Sequence, residues 1–214
     1  PNTEELIETM HLKTLKTLNA HFSKYPYLFG GKPSIGDFGM IAPLYGHLGR
    51  DPVPLSLMQI NAPRLFRWVE RMNRLEPDIG EFENRSTTYL DNDEIPETLI
   101  DILKHFAIDF IPESLAAYEC VSSWLQENKD LPSGTEVSRE VGKCKFQVNG
   151  VIIDAVAQPF RFYLLKRLQN QFDSLSAKDQ EEVRQLLKEC HMDEVLNMRL
   201  SREMGRANNL EVWL

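Results

Sequence analysis

Apolar residues recur at helical spacing over residues 4–23. Leu6, Ile7, Met10, Leu15, Leu18 and Phe22 share one side, and Lys13 and Lys16 fall between them. The pattern predicts one amphipathic helix ending near Tyr25-Pro26. A second run, "IGDFGMIAPLYGHLG", carries almost no charge after Asp37, which predicts a buried central helix kinked at Pro43. A third helix is expected over residues 61–75, with Asn61 as cap and Pro63 in the first turn. Its apolar side is Leu65, Trp68, Val69, Met72 and Leu75, and its other side is Arg64, Arg67, Arg71 and Arg74.

Residues 77–95 are acidic, contain Pro77 and Gly80 and have few apolar anchors, so they read as a connector and subdomain boundary. Beyond them, helices are expected at about 96–109 and 112–128, then at about 159–172, 177–190 and 193–203. Between these lies one β signal, "KCKFQVNGVIIDAVAQ", whose alternating residues flank Asn149-Gly150. This predicts a hairpin near 144–156. The tail "NNLEVWL" reads as a closing strand or an extended strap.

The run "YLFGGKPSIGDFGM", residues 27–40, is the most informative stretch. Gly30 and Gly31 suit a tight turn. Ser34 is placed as a helix N-cap and Asp37 falls at N3, where its carboxylate can reach back to the Ser34 N–H in an aspartate version of the capping box. The charge also suits the positive end of the helix dipole. Pro33 and Phe38 are positioned as a hydrophobic staple. Ser34 and Asp37 are therefore structural caps, and helix initiation alone accounts for the order of residues.

At 214 residues with 42% hydrophobic and 26% charged content, the chain has the composition of a globular protein. The net charge of -8 argues against nucleic acid or an anionic membrane as main partner. There is no apolar run long enough to span a bilayer and no signal peptide pattern. The three cysteines, Cys120, Cys144 and Cys190, are widely spaced with no CxxC, which points to a reducing, cytoplasmic setting. The chain starts at Pro1 and not at Met, the expectation being a fragment or processed product.

No metal-ligand spacing occurs among His11, His21, His47, His105 and His191, and no nucleophile, P-loop or dinucleotide motif occurs. No catalytic, cofactor-binding or metal residue is therefore assigned. The arginine stripe reads as a solvated face, with docking onto the acidic connector or a partner as the alternative. Phe160, Phe162 and Tyr163 read as helix packing, with the wall of an apolar ligand pocket as the alternative.

"YLFGGKPSIGDFGM", preceded by an amphipathic helix and followed by "APRLFRWVERM", resembles the C-terminal helical domain of the glutathione S-transferase superfamily. The matching positions are Ser34 and Asp37 of the box that starts the central helix, then Pro63, Trp68 and Arg71. The resemblance covers roughly residues 4–76. It implies a helical bundle over 1–76; with the connector 77–95 and the helical extension with one β-hairpin over 96–214 read above from the residues, the expected fold is mainly α. It also implies a parent enzyme that conjugates glutathione to an apolar electrophile. The thioredoxin-like domain that would bind glutathione and activate its thiol is absent from this chain, as is the first helix of the family's C-terminal domain. The chain alone is therefore expected to be inactive. Implied partners are that thioredoxin-like domain, an apolar small molecule and, as in many family members, a second copy. The rival expectation is a non-catalytic interaction module with the same fold, and a small-ligand carrier ranks third.

Overall fold

The computed structural model describes residues 3–74, 81–82 and 86–214. They form two compact units, Glu4–His105 and Phe106–Leu214. The fold is mainly α with two small antiparallel hairpins.

The first unit holds α1 (Thr3–Phe22), α2 (Ile35–Gly46), α3 (Pro52–Asn61), α4 (Pro63–Met72) and the start of α5 (Glu97–Glu127). Leu15, Leu18 and Phe22 of α1 are buried, as are Leu65, Trp68 and Val69 of α4 and Leu99 and Ile102 of α5. Phe22 stacks on Trp68 with ring centroids 4.8 Å apart. Helices α2 and α3 both pack on α4.

Several expectations need correction. Helix α3 was not anticipated: no element was expected over residues 52–60, where Pro52 opens the helix. Asn61 ends α3 and caps nothing; Ala62 is the residue shared by α3 and α4. Helix α2 runs through Pro43 and is not buried: only Asp37 and Leu44 on it are fully enclosed. Phe38, expected in a staple with Pro33, is 61% exposed. The two helices expected around Pro112 are one, α5, which passes through that proline. A proline removes one helix hydrogen bond, and α5 has buried residues on both sides of it, Ile102 and Ala117 among them.

The second unit holds the rest of α5, β1 (Lys143–Val148), β2 (Val151–Val156), α6 (Phe160–Asp173), α7 (Ala177–Glu189), β3 (Met204–Ala207) and β4 (Leu210–Trp213). β1 and β2 pair through Asn149 and Gly150, both at positive φ, as a two-residue hairpin turn requires. Ser176 caps α7 by accepting from the Asp179 N–H.

Only a short 3-10 turn, Asp193–Leu196, forms where a helix was expected over 193–203. The tail strand β4 pairs with β3, so the chain has a second hairpin, turning at Asn208 and Asn209. The expected connector lies partly outside the described residues. The part that is described includes a 3-10 turn at Asp91–Asp93.

The core of the second unit joins Val121 and Leu125 of α5, Cys144 of β1, Phe162 and Phe172 of α6, and Trp213 of β4. Trp213 stacks on Trp124 at 5.9 Å. Gln169 is buried among these side chains. Its Nε2 donates to the Val195 carbonyl at 2.8 Å and the Met198 carbonyl at 3.1 Å, tying α6 to the irregular segment after α7. Gln169→Leu keeps the volume and leaves two buried carbonyls unmatched. It is expected to cost about 2 kcal/mol, read as a lower urea midpoint, and an unchanged midpoint would deny the amide that role.

Candidate functional site: a pinned loop and an exposed helix face

The loop of residues 26–30, between α1 and α2, is held by buried polar side chains from three helices. From α2, Asp37 is fully buried. Its Oδ2 accepts from the Ser34 N–H and the Ser34 hydroxyl, both at 2.8 Å, and its Oδ1 accepts from the Leu28 N–H at 3.1 Å and the Trp68 indole N–H at 3.0 Å. The Ser34 hydroxyl in turn accepts from the Asp37 N–H at 3.4 Å, completing the capping box. One carboxylate thus starts α2, anchors the loop and fixes the α4 indole.

From α4, Arg71 donates to the Pro26 carbonyl at 2.8 Å and to Glu81 at 2.7 Å. Its guanidinium lies over the rings of Tyr27 and Phe82, 5.5 Å from each centroid. Arg64 and Arg67 also reach Glu81, at 3.2 and 3.8 Å, while Arg74 pairs with Glu70. The solvated-face reading of the stripe therefore fails for Arg71, which is buried. Docking onto an acidic residue of the connector, the alternative reading, is what occurs. Glu81 is itself almost fully covered.

From α1, His21 is fully buried. Its Nε2 lies 3.3 Å from the Tyr27 carbonyl and so carries the proton, which leaves Nδ1 to accept from the Thr98 hydroxyl at 2.8 Å. Burial pushes the His21 pKa below its ordinary 6.5, against smaller upward pulls that include the Tyr27 carbonyl and Asp37. Below pH 6.5 the unfolded chain takes up a proton that the folded ring refuses. Stability should therefore be full above that pH and decline as pH falls, until the folded ring itself protonates. Urea midpoints measured at about pH 7.5 and about pH 5.5 should differ less in His21→Gln than in wild type. Equal differences would remove His21 from the account.

The loop also explains its glycines. Gly30 sits at φ +106°, and Tyr27 and Gly30 exchange both backbone hydrogen bonds. Gly31 donates to the Thr88 carbonyl at 2.8 Å, and a Cβ there would come within 1.8 Å of the Ser86 carbonyl oxygen.

The outward side of α2 is unlike that of an ordinary surface helix. Ile35 is 91% exposed, and Phe38, Gly39, Ala42, Pro43, Tyr45 and Gly46 are exposed with it. No charged residue lies among them. Around Gly39 and Gly46 there is open space. On α3, Val53 and Ile60 are 71% and 75% exposed.

The aromatic run of α6 divides. Phe162 is buried against the core, edge-on to Tyr118 at 6.0 Å, whereas Phe160 is exposed and stacks on Tyr163 at 5.8 Å. Phe162 and Tyr163 line a cleft with Lys166, Arg199 and Met204 that encloses about 30 Å³, room for a water or two. Phe160 is not among its lining residues.

Among the described residues no three His, Cys, Asp or Glu side chains are grouped to hold a metal ion. No described helix is long and apolar enough to cross a membrane.

No curated protein and no solved structure matches the chain. Residues 5–76, which carry the capping box, the pinned loop and the indole bond to Asp37, match the family model described as glutathione S-transferase, C-terminal domain.

Proposed function

We propose that the chain is the helical, substrate-pocket part of a cytosolic glutathione S-transferase-like protein. In this reading a thioredoxin-like domain holds glutathione and lowers the pKa of its thiol. The helical part offers apolar surface to an electrophile held near the thiolate, so that sulfur bonds to the electrophilic carbon. The observation that carries the reading is the outward side of α2, apolar and uncharged from Ile35 to Gly46. A water-facing helix normally carries polar residues on that side, and an exposed apolar patch marks a surface that another body covers. Small residues at Gly39, Ala42 and Gly46 let that body come close. The match to the family over residues 5–76 supports the thioredoxin-like domain as that body.

The test is conjugation of glutathione to an aryl halide. The chain alone should show no rate above the uncatalysed reaction, and the native polypeptide with its thioredoxin-like domain should be active. In that polypeptide Phe38→Glu should reduce activity at least about tenfold by placing a charge in an apolar contact. Substantial conjugation by the chain alone would contradict the proposal.

A non-catalytic interaction module is the second reading. Phe160, Leu164 and Leu168 favour it: they form an exposed stripe at four-residue spacing on α6, beside that helix's buried side. If the native protein has no glutathione-activating residue, this reading takes precedence.

A further inference from the structure

Two cysteines far apart in sequence, Cys120 of α5 and Cys144 of β1, pack into the same cluster of the second unit. The Cys120 Sγ on α5 lies 3.9 Å from the Lys143 carbonyl oxygen. A Cβ placed on Gly142 would come within 2.7 Å of the same sulfur. The sulfur therefore rests on the backbone immediately before Cys144. In β1, Lys143 and Lys145 face outward and Cys144 faces inward into the core, and Cys120 packs against that same cluster. Cys120 is half-buried and Cys144 is buried, and both are free thiols.

We propose that Cys120 and Cys144 form a dithiol redox site that a small soluble disulfide oxidises to an internal disulfide joining α5 to β1. The half-buried Cys120 reacts first. Its thiolate attacks one sulfur of glutathione disulfide, forming a mixed disulfide and releasing one glutathione thiolate. Cys144 then loses its proton to solvent and attacks the Cys120 sulfur, releasing the second glutathione thiolate. Two protein thiols lose two electrons and two protons, and one glutathione disulfide becomes two glutathione molecules. The order follows from exposure. Burial, and then the neighbouring Cys120, push the Cys144 thiol up, which leaves it a poor first attacker; its place beside the mixed disulfide makes the second attack intramolecular. Cys190, fully buried at the end of α7, is the internal control.

The experiment incubates the whole chain with excess glutathione disulfide, blocks the remaining thiols by alkylation and maps peptides without reductant. The expected result is one alkylated cysteine, Cys190, no retained glutathione, and a cross-linked pair of peptides carrying Cys120 and Cys144. Cys144→Ser should instead retain glutathione on Cys120, and Cys190→Ser should cross-link like wild type. Dithiothreitol should restore all the thiols. A wild-type chain that keeps glutathione on Cys120 without the cross-link, or that still alkylates at all three cysteines, would overturn the proposal. The wild-type map decides this even if a variant fails to fold.

Discussion

Asp37→Ala is expected to unfold the first unit or leave it barely stable. The substitution removes the acceptor for the Leu28 N–H, the Ser34 N–H and the Trp68 indole N–H, all of them buried. Each buried donor left unmatched costs about 1–3 kcal/mol. For three donors the total is at least about 3 kcal/mol, a large share of the 5–15 kcal/mol that typically holds a domain. The contrast with Ser34→Ala isolates the long-range part. That variant loses only local capping and should cost about 1–2 kcal/mol. Asp37→Asn keeps the shape but turns an amide donor toward donors, so it should fall between the two. Trp68, the one tryptophan in the first unit, reports the transition by fluorescence during urea unfolding. A loss of less than about 1 kcal/mol for Asp37→Ala would mean that the carboxylate is only a helix cap.

Arg71→Met should be the second most damaging change, at about 3–5 kcal/mol. It keeps the apolar stem of the side chain and loses the guanidinium that lies over the Tyr27 and Phe82 rings. It removes the charge that neutralises Glu81 in a covered position and the donor to the Pro26 carbonyl. Arg64 and Arg67, both about half exposed, remain near Glu81 and recover part of the loss. Arg71→Lys should still lose more than half as much, because an ammonium cannot serve two acceptors with the planar fork of a guanidinium. Arg74→Ala, whose pair with Glu70 is exposed, should stay within about 0.5 kcal/mol of wild type. Adding Glu81→Leu to Arg71→Met should recover much of the loss, since replacing both partners of a buried pair costs less than removing one. If the double variant were as unstable as the sum of the single ones, the pair would not be coupled.

What the sequence revealed was local. Ser34 and Asp37 stand three residues apart and read directly as a capping box. Asn149-Gly150 reads as a hairpin turn because both positions need positive φ and those residues tolerate it. The wider role of Asp37 was hidden, because Trp68 is 31 positions away and no local rule connects them. Only the family resemblance set Arg71 apart from Arg64, Arg67 and Arg74, since helical spacing alone does not show that the Tyr27 and Phe82 rings lie against one of them. Prolines were poor guides. Pro52 opens a helix over a stretch for which no element was expected, and Pro112 sits inside one that it was taken to divide.

The apolar run of α2 was read as burial, and the same composition proves to be an exposed side. Periodicity states that a helix needs cover without stating which body supplies it. The second hairpin gave a weaker signal, Asn208-Asn209, whose two left-handed residues lack the glycine that makes such turns legible.

The central claim is that the exposed side of α2 belongs against a thioredoxin-like, glutathione-binding domain. The most direct measurement is the sequence of the native polypeptide ahead of Pro1. The account predicts a thioredoxin-like segment there, with a thiol-activating Tyr, Ser or Cys and a proline placed before a strand. A start codon immediately before Pro1, or an unrelated domain, would contradict it and leave the exposed side of α2 to a different partner.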